Sequence, residues 1–185
     1  MKKFLLFLIT LSTLYGFQYD AKFYVGMGGG MQNESFSEDE FSDASNSPAF
    51  GSFKIGYGDI KAYAIEVVLN YIDNKSNIFS PNDSARYGLD VMLLKAFPVS
   101  KYAYPFIRAG FGAGEMKVER KLDDKMAYSS FNVGTGVFIP LVKDFDMEVT
   151  YEYRFTSYES IDLIGTTLKP HSHINQLYVG VNYRF

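Results

Sequence analysis

Residues Leu177 to Phe185, LYVGVNYRF, decide the fold. Apolar and aromatic side chains take alternate positions there, at Leu177, Val179, Val181, Tyr183 and Phe185, with Tyr178, Gly180, Asn182 and Arg184 between them. A period of two marks a β-strand, whose side chains project by turns to the two faces of a sheet. In an ordinary soluble sheet, a final strand this apolar would be an unprotected edge that recruits other chains. Closing the sheet into a barrel removes the edge.

Read back from that strand, the chain shows seven more of the same kind. The first lies within Phe17–Met31, where Phe23, Val25 and Met27 alternate with Tyr24, Gly26 and Gly28. Next come Gly51–Tyr57, Tyr63–Tyr71, Arg86–Leu93 and Phe106–Ala113, then Phe131–Ile139, ending at Pro140, and Met147–Phe155. Polar stretches without periodicity separate them at Asn33–Pro48, Asp73–Ser84, about Glu115–Ala127 and Thr156–His173, and these read as loops. The other connections, Gly58–Ala62, Val99–Tyr102 and Leu141–Asp144, are short. Long and short connections therefore alternate, as they do in a membrane barrel with turns on one side and loops on the other.

Charge sorts by face. One side of nearly every strand is uncharged, and the other gathers Lys54, Glu66, Arg86, Asp90, Arg108, Glu148, Glu152, Arg154 and Arg184. A charge facing lipid at the bilayer midplane costs roughly 2–4 kcal/mol, so lipid outside and a polar interior would produce this division. The expected fold is all-β, an eight-stranded antiparallel up-and-down transmembrane β-barrel.

The N-terminus reads as an export signal over residues 1–16, with Lys2 and Lys3 before the apolar run Phe4–Leu11, and residues 17–185 as the barrel domain. Without the leader the balance is 16 basic to 21 acidic residues, a net charge of −5, which argues against a nucleic-acid partner. No cysteine is present, so disulfides and thiolate metal sites are excluded. The 15 Tyr and 17 Phe suit sheets and membrane interfaces.

The Gly-alternating strands YVGMGGG, IRAGFGAG and FNVGTGV, together with the YVGVNYRF ending, resemble the small eight-stranded outer-membrane barrels that include the OmpA transmembrane domain, OmpX-type proteins and opacity-type adhesins. The resemblance covers the whole chain after the leader. It implies the outer membrane as location, membrane lipid and lipopolysaccharide as surroundings, and no cofactor. It also implies that Tyr183 and Phe185 form the C-terminal signal read by the barrel-assembly machinery. Members serve as structural proteins, adhesins, serum-resistance factors and occasionally enzymes. The expected role is a non-enzymatic surface protein, adhesin-like, whose loops meet a host or other surface ligand.

Within an eight-stranded barrel, side chains just fill the interior. The five basic and four acidic residues named above are therefore expected to pair with one another as a plug, the alternative being a narrow pore. His171 and His173 are the only histidines and form an H-x-H pair placed in the last loop. No third ligand is near, so neither metal binding nor catalysis with Glu159, Ser160 or Ser172 is expected. A rim-located lipid A-modifying enzyme is the remaining alternative. The first loop carries Glu34, Glu38, Asp39, Glu40 and Asp43 with Phe36 and Phe41, and reads as a solvated acidic loop. The third mixes Lys117, Arg120, Lys121 and Lys125 with Glu119, Asp123 and Asp124.

Overall fold

A computed structural model of the chain describes residues 20–36, 45–73, 84–118, 125–163 and 166–185; the expected leader, 1–16, lies outside them. Eight long strands follow in order: β1 (Lys22–Phe36), β2 (Ala49–Gly58), β3 (Tyr63–Ile72), β4 (Arg86–Ala96), β5 (Tyr104–Lys117), β6 (Lys125–Val142), β7 (Phe145–Tyr158) and β8 (His171–Arg184). Each pairs antiparallel with its neighbours in sequence, and β8 pairs with β1, closing an eight-stranded barrel. The short strand Ser45–Asn46 adds to the end of β1, and Ile161–Leu163 pairs with Thr166–Leu168 in the last connection.

The burial pattern inverts that of a soluble protein. Along β3, Tyr63, Ile65, Val67, Leu69 and Tyr71 are exposed, while Ala64, Glu66, Val68, Asn70 and Ile72 are buried. Val67 is 41% exposed and Glu66 is 0% exposed. A sheet with this pattern can rest only in hydrocarbon, with its ionised groups enclosed.

The strands extend further than periodicity suggests. β1 runs on to Phe36, into the stretch expected to be an acidic loop, because Gln32, Glu34 and Phe36 all turn inward and are buried. β5 and β6 likewise consume much of the third loop and leave only 118–124 between them. Met116 and Met126 pack inside there with Phe36, Val118, Tyr128 and Tyr158, while Lys125 and Glu115 pair outside at 2.7 Å. β6 continues through Pro140, where the register with β7 shifts by a bulge between Pro140 and Val142. Proline has no N–H to give the ladder, and a bulge accommodates it.

Two inward glycines make room for particular neighbours. A Cβ at Gly56 would lie 2.1 Å from the Tyr24 ring, and one at Gly112 would lie 1.8 Å from the Asp90 carboxylate. Without side chains there, long residues from other strands reach the centre.

Candidate functional site: the barrel interior

The lumen is filled in layers. At the short-turn end an apolar layer joins Tyr24, Ile60, Ala64, Leu94, Ala96, Tyr104, Phe106 and Phe138, with the Phe106 and Phe138 ring centres 4.5 Å apart. Beyond it the charges of β2 to β7 converge. Lys54 meets Glu66 at 3.0 Å and also contacts Glu148. Arg108 lies 2.8 Å from Glu152, 3.3 Å from Glu148 and 3.7 Å from Glu66. Arg154 meets Asp90 at 2.6 Å and Glu152 at 3.3 Å. Neutral groups add further hydrogen bonds: the Tyr24 hydroxyl donates to Glu66 at 2.7 Å, Thr150 to Glu148 at 2.9 Å, and the Asn70 amide to Asp90 at 2.7 Å.

The strand order explains the convergence. Glu66 and Glu148 sit on β3 and β7, on opposite sides of the barrel, and Lys54 and Arg108 reach the centre from β2 and β5. Lys54, Arg108 and Arg154 each touch at least two carboxylates, which compensates their charge in a medium where one lone ion would cost several kcal/mol. A void of about 20 Å³ remains among Lys54, Asn70, Asp90, Arg108, Glu152 and Arg154. That is room for a water molecule and little more.

The outer layer was not legible in the sequence. Arg86 donates to both oxygens of Glu34, at 2.9 and 2.6 Å, and Glu34 also accepts from the Tyr158 hydroxyl at 2.6 Å and the Ser172 hydroxyl at 2.7 Å. The Phe36–Met116–Met126–Tyr128 cluster covers this pair from the loop side. Near the opposite mouth Arg184 meets Asp146 at 2.7 Å. Glu34 and Asp146 are thus two interior acids beyond the expected set. Glu34 lay hidden in an acidic run, and Asp146 lay beside a turn. For both, continuing the alternation of the neighbouring strand by one or two more positions is the signal that finds them.

The histidines are placed differently from expectation. His171 and His173 belong to β8 rather than to a loop, and face outward with ring centres 6.1 Å apart. His173 contacts the Tyr153 hydroxyl through Nδ1 and packs against Phe155, with 5.4 Å between ring centres. Ser172, between them, is buried in the lumen on the other face. The sheet's own alternation therefore separates the hydroxyl from both imidazoles. Among the described residues no group of three or more His, Asp or Glu is placed to hold a metal. Glu38, Asp39, Glu40, Phe41 and Asp43 of the first loop, and Glu119, Arg120, Lys121, Asp123 and Asp124 of the third, lie outside the described residues.

At the closing seam the Phe185 amide donates to the Phe23 carbonyl at 2.9 Å, and the Phe185 ring meets Tyr183 edge-on at 5.1 Å between centres. Both rings face outward, toward lipid.

A family model described as the outer membrane protein beta-barrel domain matches residues 4–185. The chain belongs to that family. Its place is the outer membrane, among the lipid and lipopolysaccharide of that bilayer. A 25 kDa outer-membrane immunogenic protein of Brucella abortus is 30% identical over 84 residues, 44% of this chain and 38% of its own length, so the match spans well under half of that relative. Among solved structures, the barrel of Neisserial surface protein A superposes with a TM-score of 0.65 at 19% identity, covering 89% of this chain and 99% of that one. Ail, the attachment invasion locus protein of Yersinia pestis, solved with the heparin analogue sucrose octasulfate, gives a TM-score of 0.52 at 15% identity, covering 89% and 99%. At those identities the likeness shows the fold alone.

Proposed function

We propose that this chain is a non-enzymatic surface protein of the outer membrane, a sealed barrel that holds its loops out to the environment for adhesin-like contact. The long-connection end faces outward and the short-turn end faces the periplasm. One observation carries the reading: Arg108, from β5, spans the lumen to carboxylates of β3 and β7, so the centre of the barrel is occupied by its own ion pairs. The nine interior charges expected from sequence act as a structural plug. The name of the Brucella relative, an outer-membrane immunogenic protein, supports surface exposure, and the complex of Ail with a heparin analogue supports a surface-ligand role. Residues 1–16 direct export, and Tyr183 with Phe185 present the assembly signal to the insertion machinery.

Single-channel recording on the purified protein in planar bilayers tests the sealed lumen. Silence at ordinary salt is the expected outcome; stable, ion-selective steps would replace this reading with a pore.

A further inference from the structure

His171 and His173 are the chain's two histidines, and their place in the sheet changes what they can do. In a loop, two ligands must be ordered before they can share an ion, and that ordering weakens binding. On β8 the backbone is already ordered. His173 pairs with Ser35 of β1 on one side and with Phe155 of β7 on the other, and His171 pairs with Ser157 of β7. Residues two apart on a strand share a face, so both imidazoles, each partly exposed, project from one rigid ribbon.

The surroundings suit a cation. Beyond Leu177 the outward positions of β8 turn polar, at Asn175, His173 and His171, and the flanking strands present the neutral groups of Asn33, Ser35 and Ser157. Two tyrosines of β7 reach across to this row. The Tyr151 hydroxyl donates to the Asn175 amide oxygen at 2.6 Å, and the Tyr153 hydroxyl contacts Nδ1 of His173. With its proton on Nδ1, the His173 ring donates to the tyrosine oxygen and leaves the Nε2 lone pair available to a metal. Ligating histidines are commonly fixed this way, by an oxygen that accepts from the nitrogen not bound to the metal.

The spacing allows one shared ion. An imidazole nitrogen binds a divalent metal at about 2.0–2.1 Å, which puts each ring centre about 3 Å from the ion. The two ring centres are 6.1 Å apart and the rings stand edge-on at 83°, so a small turn of either side chain brings both nitrogens to one point. Two imidazoles completed by water make a nitrogen-and-oxygen set of the tetragonal kind that copper(II) and nickel(II) favour, and copper binds the more tightly. Zinc sites more often draw three or four protein ligands.

We propose that His171 and His173 form a copper(II) site on the outer wall of the barrel, with Tyr153 as the residue that positions His173. The site lies on the opposite face of the sheet from the ion pairs of the lumen, and so stands whether or not the lumen is sealed.

Titration of the purified full-length protein in detergent micelles with copper(II), nickel(II) and zinc(II) salts tests this, read by tyrosine fluorescence and by electron paramagnetic resonance. The wild type should bind a single copper ion in preference to nickel and zinc, with a spectrum split by two imidazole nitrogens. His171→Gln and His173→Gln should each weaken copper by about tenfold or more. Tyr153→Phe should keep the two-nitrogen spectrum while weakening copper by about 10–100-fold, a loss that a merely structural tyrosine would not cause. Heat-modified electrophoretic mobility reports folding for each variant, and the asparagine variants serve if a glutamine variant does not fold. Copper held by His171→Gln/His173→Gln as tightly as by the wild type, or a spectrum without coupled nitrogens, overturns the proposal. Wild-type affinity in Tyr153→Phe overturns the positioning role.

Discussion

Glu34 and Arg86 lie 52 positions apart in the chain, yet both guanidinium terminal nitrogens reach the carboxylate, at 2.9 and 2.6 Å. The pair ties β1 to β4 across the barrel, and two hydroxyls from β7 and β8 complete its shell. An interior charge pair of this sort secures geometry more than it adds net stability, since desolvation offsets much of the attraction.

Glu34→Ala should therefore destabilise the barrel by about 3–5 kcal/mol, because Arg86 is left ionised and buried. The double variant Glu34→Leu/Arg86→Met should recover most of that loss. Urea unfolding in lipid vesicles, read by tyrosine fluorescence, measures both; a double variant as weak as the single one would contradict the ion-pair account.

Arg108→Ala should open the lumen. Glu66, Glu148 and Glu152 would then face one another without their shared cation. Cation-selective steps should appear in planar bilayers where the wild type is silent. A silent Arg108→Ala barrel would mean that the apolar layer around Phe106 and Phe138 seals the lumen without help from the charges.

Val67→Arg places a charge on the lipid face midway along β3, opposite Ile55 and Val91. The expected cost is roughly 2–4 kcal/mol, measured by the same unfolding in bilayers. No loss of stability would show that this face does not meet hydrocarbon.

His171→Ala/His173→Ala should leave the lipid A of the host membrane unchanged by mass spectrometry. It should cost the barrel no more than about 1 kcal/mol, through the lost Tyr153 contact. A changed lipid A profile would restore the enzymatic alternative.

What could be read from the sequence follows the physics of alternation. Along β3 and β7 every second residue keeps the same character, so both faces were legible, including Glu66, Glu148, Glu152 and Arg154. Strand ends were not. Near the loop end β1 and β8 carry polar residues on both faces, such as Asn33 and Glu34 or His173 and Ser172, so polarity no longer tells one face from the other. Hydropathy contrast fades there while backbone pairing continues.

The seam between β1 and β8 joins the two ends of the barrel sequence. Tyr24 pairs with Arg184, and Glu34 receives the Ser172 hydroxyl from 138 positions away. Contacts so distant along the chain bear the largest loop-closure entropy and are expected to form late. Until they do, the curled sheet is an open trough, and its ionised floor is wetted from the side. Without that pairing the sheet has two unpaired edges, at β1 and β8, and closing the seam removes both at once.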